Sequence, residues 1–295
     1  NPVLAEEIEV PPSSPSSPAA MPAVTPAVDV VVTDELTISE YFGNASTRSP
    51  EISIAHVKVA AAAAEDWQTP EFDEWVMIIS GEAHLLHAGG RTVAKGGSAV
   101  FLKAGLRVRW VFPGPCSYVP ICMPAFSPDN VRREEGSGPV EAGAAEAGAV
   151  EGLSVFAPVD VVTAADLTIT EYFGSVASKD PRMSACLATV RAPCAEAYQA
   201  PEFDEYVLVL SGEVHLERGE AEAKTVVGPG QACFLKAGER VRWVWPGPCS
   251  YVPVCLPAFS PAGCRREEEE GAAKDRATMA RLHALHEKGN VPQAA

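Results

Sequence analysis

The sequence predicts an all-β protein made of two tandem β-barrels followed by a short C-terminal helix. Three observations carry that reading: an internal repeat, short β-rich runs spaced 8 to 12 residues apart, and 26 prolines with 23 glycines to break them. The repeat is explicit. Val28-Asp29-Val30-Val31 returns as Val159-Asp160-Val161-Val162 and Glu40-Tyr41-Phe42-Gly43 as Glu171-Tyr172-Phe173-Gly174, an offset of 171 − 40 = 131. The same offset carries Pro70-Glu71-Phe72-Asp73-Glu74 onto Pro201-Glu202-Phe203-Asp204-Glu205. From Phe101-Leu102-Lys103-Ala104-Gly105 onward, matched to Phe234-Leu235-Lys236-Ala237-Gly238, it is 234 − 101 = 133. The two extra residues fall in a Gly- and charge-rich stretch after the motif glycine, where a hairpin loop absorbs insertions at little cost.

In chain order, residues 1–27 contain Pro11-Pro12-Ser13-Ser14-Pro15 and read as an extended Pro/Ser tail. Residues 28–136 form the first barrel. Its strands are signalled by Val76-Met77-Ile78-Ile79 ending at Ser80-Gly81, then Glu82-Ala83-His84-Leu85, Ala99-Val100-Phe101-Leu102 and Val108-Arg109-Trp110-Val111. Residues 137–158 read as a flexible Ala/Gly-rich linker, the stretch from Gly136 to Gly152 being almost wholly Gly, Ala, Glu, Ser, Pro and Val. Residues 159–270 repeat the barrel. Residues 271–295 carry Met279, Leu282 and Leu285 at helical spacing and read as an amphipathic tail.

Composition narrows the function. The formal charge of −16 repels phosphate backbones, which removes nucleic acid from the partners, and no apolar run is long enough for a membrane span. Cys116 and Cys122 recur as Cys249 and Cys255, six residues apart on an extended run and too distant to bridge locally. The eight cysteines therefore read as buried thiols, and no Cys/His cluster has zinc spacing. A chain starting at Asn1 with an Ala-rich bias reads as a processed organellar, plastid-type protein.

Glu74, six residues and Gly81, then Gly97, five residues and Lys103-Ala104-Gly105, resembles the paired motifs of the cupin superfamily of double-stranded β-helix (jelly-roll) barrels; Glu205, Gly212, Gly230 and Lys236-Ala237-Gly238 repeat it. The chain thus looks like a bicupin. The resemblance implies a divalent-metal site built from two histidines, the glutamate and one more histidine. Those histidine positions hold Gln68, Pro70 and Val108 in the first unit and Gln199, Pro201 and Val241 in the second, so no metal and no other cofactor is expected. Trp110 and Trp243, five residues past the second-motif glycine, resemble the ethanolamine-utilisation and ureidoglycine-type cupins, in which the last histidine is also commonly absent.

If the barrel interior is kept, Gln68, Glu74 and Trp110 point inward in one unit and Gln199, Glu205 and Trp243 in the other, making these the ligand-pocket residues. Glu74 and Glu205 are the only catalytic candidates. A buried carboxyl with an upshifted pKa could serve an isomerase or hydrolase acting on a small polar substrate; against it stands the structural reading, in which the Gln and Glu bond each other or the turn backbone. His84 and His215 alternate with apolar residues and are expected on the outer face, His283 and His286 on a solvated helix face, Arg107, Arg109, Arg240 and Arg242 outward, and Lys103 and Lys236 at exposed turns. The expected function is a non-catalytic structural or binding module, an accessory subunit meeting protein partners through its N-terminal tail, linker and barrel faces; a metal-independent enzyme and a small-ligand sensor or storage protein are the alternatives.

Overall fold

The computed structural model describes residues 23–138, 150–219, 224–267 and 273–289. The Pro/Ser run at 11–18, residues 139–149 of the linker, residues 220–223 and Glu268 to Glu270 lie outside the described residues. Each unit is a barrel of a seven-stranded and a four-stranded antiparallel sheet. In the first, Asp73–Ser80 lies between Ser98–Leu102 and Cys116–Met123, followed outward by Ser53–Val59, Leu36–Phe42 and, at the edge, Val28–Val32. The smaller sheet runs Ala63–Ala64, Arg109–Phe112, Glu82–His87, Gly90–Lys95. The second unit repeats both sheets, with Asp204–Ser211 central and Val159–Thr163 at the edge. The one helix among the described residues, α1, spans Ala273–Gly289, and no helix there is long and apolar enough to cross a membrane.

The two extreme strands correct the sequence reading. Val24–Pro26, assigned to the tail, pairs with Gln231–Leu235 of the second barrel, Val24 opposite Cys233. Leu153–Phe156, assigned to the linker, pairs with Ser98–Leu102 of the first, Leu153 opposite Leu102. The segment preceding each barrel therefore completes the sheet of the other. These runs are too short to announce themselves in sequence, and what stabilises them is the unpaired edge they cover.

The central strands explain themselves. Asp73–Ser80 reads DEWVMIIS, apolar without alternation, because both its faces are buried. Val76 and Ile78 face the barrel interior with Leu85, Val100, Trp110 and Phe112. Trp75 and Met77 face outward, into a core shared with Tyr172, Phe173, Met183, Leu208 and Val254 of the second barrel. Each large side chain buried there contributes about 2 kcal/mol. Phe42 meets Tyr206 edge-on at 5.0 Å. Arg182 sits over the Trp75 ring at 4.7 Å and donates to Asp73 at 2.7 Å, while Trp75 Nε1 donates to Asp180 at 3.2 Å.

The repeated motifs are geometric necessities. Gly81 has φ +82° and a Cβ there would lie 2.2 Å from Pro115 O; Gly212, at φ +71°, would meet Pro248 O at the same distance. No other residue fits where the hairpin crosses that strand. In the other repeated block, Glu40 Oε1 accepts the amides of Ala45 and Ser46, and Glu171 Oε1 those of Val176 and Ala177, each at 2.8 Å. Those glutamates close the loop after Tyr-Phe-Gly.

Helix α1 packs on the second barrel, Leu282 against Val161 and Val176, with Met279, Leu285 and Phe259 around them. Arg281 donates to the carbonyls of Asp160 and Val161 on the edge strand. His286, expected on a solvated face, is buried and meets the Phe259 ring edge-on at 5.6 Å. The helix turns that side inward because Leu282, one turn earlier, anchors it there.

Candidate ligand site

The barrel interiors assemble the inward-pointing residues. Gln68 and Val108 exchange both backbone hydrogen bonds at 2.9 Å, and Gln199 and Val241 do the same, so the first- and second-motif strands meet beside the motif glutamate. Glu74 lies on its strand opposite Leu102 and Cys122, and Glu205 opposite Leu235 and Cys255. Gln68, Glu74, Gln199 and Glu205 are all buried. Trp110 stacks with Phe112 and Tyr118, at 6.2 and 6.0 Å between ring centres. Trp243 stacks with Trp245 and Tyr251, both at 6.3 Å. The aromatic residues thus line each barrel as a layered wall.

Both glutamates are held away from ionisation. Burial raises Glu74 to about 8, with the neighbouring Glu65 carboxylate adding to the rise and Arg133 opposing it. Burial raises Glu205 to about 8 as well, reinforced by Glu196. At neutral pH each is therefore mostly a carboxylic acid, a hydrogen-bond donor as well as an acceptor. Glu205 Oε2 has no hydrogen-bond partner among the described residues, although it is shut off from solvent.

A cavity of about 770 Å³ in the second barrel has Glu205 among its lining residues. Glu205, Gln199, Trp243 and Tyr251 line it, as do Thr278, Met279 and Leu282 of α1. Cys186, Cys194, Cys255 and Cys264 also line it; the first barrel has Ala55, Ala63, Cys122 and Val131 at the matching repeat positions. Cys264 Sγ donates to Gln199 Oε1 at 2.9 Å. Burial pushes Cys264 up to about 12 and Cys186 and Cys255 well above the usual thiol range, so all three are neutral thiols. The eight cysteines are free.

Sequence reasoning missed the ion pairs beside the glutamates. Arg133 approaches Glu65 at 3.6 Å, and Arg266 donates to Glu196 at 2.8 Å. Their signal was present: Arg132-Arg133-Glu134 returns as Arg265-Arg266-Glu267 at offset 133, and Glu65 returns as Glu196 at offset 131. The rest of the triplet is paired too. Arg132 meets Glu71 and Arg265 meets Glu202. Arg107, stacked 3.9 Å over Trp67, bonds Glu134 at 2.6 Å, and Arg240, 3.8 Å over Tyr198, bonds Glu267 at 2.6 Å. Of the arginines expected to face outward, Arg109 is buried and donates to the carbonyls of Glu65, Ser137 and Gly138. A guanidinium can occupy that place because those carbonyls take up its donors.

The histidines lie elsewhere. His84 bonds Glu82 at 2.5 Å and His215 bonds Glu213 at 2.9 Å, on the strand face opposite the interior. His215 is nonetheless buried, because Lys224 folds over it at 3.1 Å. His56 bonds Ser117, and burial lowers its pKa to about 4. Lys103 and Lys236 are exposed, as expected of turns.

The divalent metal of the cupin family does not fit this donor set. Pro70 and Val108, like Pro201 and Val241, offer no side-chain ligand, which leaves one carboxyl and one carboxamide per barrel, and Gln199 Oε1 is already engaged by a thiol. Among the described residues no three His, Cys, Asp or Glu side chains are grouped to hold an ion.

Comparison with known proteins places the fold. No protein-family model matches the chain. It is 33% identical over 99 residues to a protein named endoribonuclease YbeY from Myxococcus xanthus, a match covering 33% of this chain and 34% of that one, so the chain spans about a third of that relative's length. Among solved structures it resembles a tryptophan-to-tyrosine variant of oxalate decarboxylase from Bacillus subtilis, with TM-score 0.57 and 10% identity over 78% of this chain and 75% of that one. It also resembles AerE from Microcystis aeruginosa, with TM-score 0.54 and 10% identity over 79% and 98% of the two chains. With the repeat, the paired motifs and these likenesses together, the chain has the all-β bicupin fold of two tandem cupin barrels.

Proposed function

We propose that the protein is a non-catalytic binding bicupin, working without a metal centre, whose second barrel holds a small molecule bearing an amine. The observation that carries this reading is the cavity itself, whose lining brings Glu205, Asp166 and Glu171 beside the stacked Trp243, Trp245 and Tyr251. The lining favours a cation over an anion: Glu196 and Arg266 pair with each other, Asp166 and Glu171 add further carboxyl groups, and Glu205 becomes a carboxylate when it gives its proton to a base. A dicarboxylate, the substrate class in the name of the oxalate decarboxylases, would meet repulsion here. The stacked Trp243, Trp245 and Tyr251 suit an apolar body behind the amine.

A catalytic reading has less to draw on. The thiols lining the cavity are neutral, and Tyr251 is held well above its usual pKa by burial, so Glu205 has no activated partner beside it. The name of the M. xanthus relative is not carried over, because the match spans a third of each chain and a charge of −16 disfavours a polyanion. The Trp110 and Trp243 spacing supports kinship with the ethanolamine-utilisation type of cupin, and the accessory-subunit role rests on surfaces outside the barrels.

The test is calorimetric titration of the full chain with a panel of small alkyl- and arylamines and with matched carboxylates. One amine should bind with unit stoichiometry and lose at least tenfold in affinity in Glu205→Gln. An amine that displaces the Glu205 proton also binds about tenfold more tightly per pH unit up to about pH 8, then levels off, because only the ionised carboxyl pairs with it. Binding of carboxylates in place of amines would overturn the reading.

A further inference from the structure

The repeat makes each barrel a control for the other, and their edge strands differ. Val159–Thr163 is covered by α1, which leaves Val161 only 4% exposed. Among the described residues nothing comparable covers its counterpart Val28–Val32: Val28 is 39% and Val30 43% exposed. The residues that receive α1 are Val159, Val161, Ile169, Val176 and Phe259. The matching positions are Val28, Val30, Ile38, Ala45 and Phe126, each still apolar.

We propose that this face of the first barrel docks an amphipathic helix from a partner protein, one presenting apolar residues three apart with an arginine just before the central one. That is the chemistry of α1, which offers Met279, Leu282 and Leu285 with Arg281. Arg281 Nη2 donates to Asp160 O at 2.7 Å and Nη1 to Val161 O at 3.2 Å. Among the described residues no side chain donates to the equivalent carbonyls of Asp29 and Val30. The exposed Asp29, Asp34 and Glu35 in and beside this strand complement an arginine. The segment that follows the first barrel supplies no such helix. After the Arg-Arg-Glu triplet the second barrel continues into α1, whereas the first continues into residues 136–152, which contain no Leu, Ile, Met, Phe, Lys or Arg. A second copy is disfavoured as occupant, since releasing its α1 would bare the same face on its own second barrel.

A fluorescent peptide with the sequence Ala273–Gly289 is the probe, titrated into the full chain by anisotropy while sedimentation velocity follows self-association. The expected result is saturable binding that weakens at least tenfold in Val30→Lys, weakens severalfold when the peptide carries Arg281→Ala, and is unchanged in Glu205→Gln. Val28→Lys, at a second exposed position, should reproduce the loss without lowering the melting temperature. No saturable binding, equal binding to Val30→Lys, or a dimer of the free chain that Val30→Lys dissociates would each overturn the proposal. Because Glu205→Gln leaves this face intact, failure here and failure of amine binding are separate results.

Discussion

At the scale of single residues, the two motif glutamates set a pH dependence whose direction follows from their environment. Each has a folded pKa of about 8 against an ordinary 4.5. Between those values the folded chain keeps protons that the unfolded chain has released. Stability is therefore fullest below about pH 4.5 and is lost as pH rises through about 8, at roughly 1.4 kcal/mol per pH unit for each group. Glu205→Gln should match the parent near pH 4.5 and exceed it by a few kcal/mol at pH 8.5; urea denaturation at the two pH values measures the difference. Equal gains at both would mean that Glu205 is not the proton holder. The same substitution should reduce amine affinity, so the carboxyl that weakens the fold at high pH is the one the ligand needs.

At the scale of elements, the hairpin glycines and the exchanged strands are the sensitive points. Gly81→Ala places a methyl group against Pro115 O and demands a positive φ of a residue with a side chain. A loss of about 3 kcal/mol is expected, measurable by chemical denaturation, whereas Gly97→Ala, with nothing within 4 Å of its Cβ, should lose much less despite a similar φ. Val24–Pro26 protects the edge of a sheet belonging to the other barrel. Removing residues 1–27 should leave both barrels folded but expose Gln231–Leu235, seen as faster hydrogen exchange confined to that strand and as concentration-dependent association. Loss of folding throughout would show the strand to be part of the nucleus of the fold.

At the scale of the whole molecule, the barrels are coupled by a continuous core rather than by a flexible connection. Trp75 and Met77 of one barrel share that core with Leu208 and Val254 of the other, and Arg182 adds ion pairs to Asp73 and Asp180. The parent should unfold in a single calorimetric transition. Met77→Asp, placing a charge in a fully buried position of that interface, should split it into two and lower the first by several kcal/mol. Arg182→Ala, at a partly exposed site, should cost about 1 kcal/mol and leave one transition.

Local chemistry written twice made the barrels legible in the sequence: the repeat, the motif spacing around Gly81 and Gly212, and the buried Gln68, Glu74, Trp110, Gln199, Glu205 and Trp243 follow from spacing and repetition, whereas the positive φ of those glycines and the loop-closing role of Glu40 and Glu171 came from the structure. The Arg133 and Arg266 pairs were equally written, though their partners lie about seventy residues earlier and only folding brings them together. What the tertiary structure alone decided is where otherwise ambiguous segments go. Val24–Pro26 and Leu153–Phe156 are strands because each finds an open edge on the opposite barrel. Glu205 faces a cavity through the shape of its surroundings, and His286 is buried because α1 has a surface to lie on. Sequence specifies the preferences of a segment; the edge, cavity or face it meets determines which preference is satisfied.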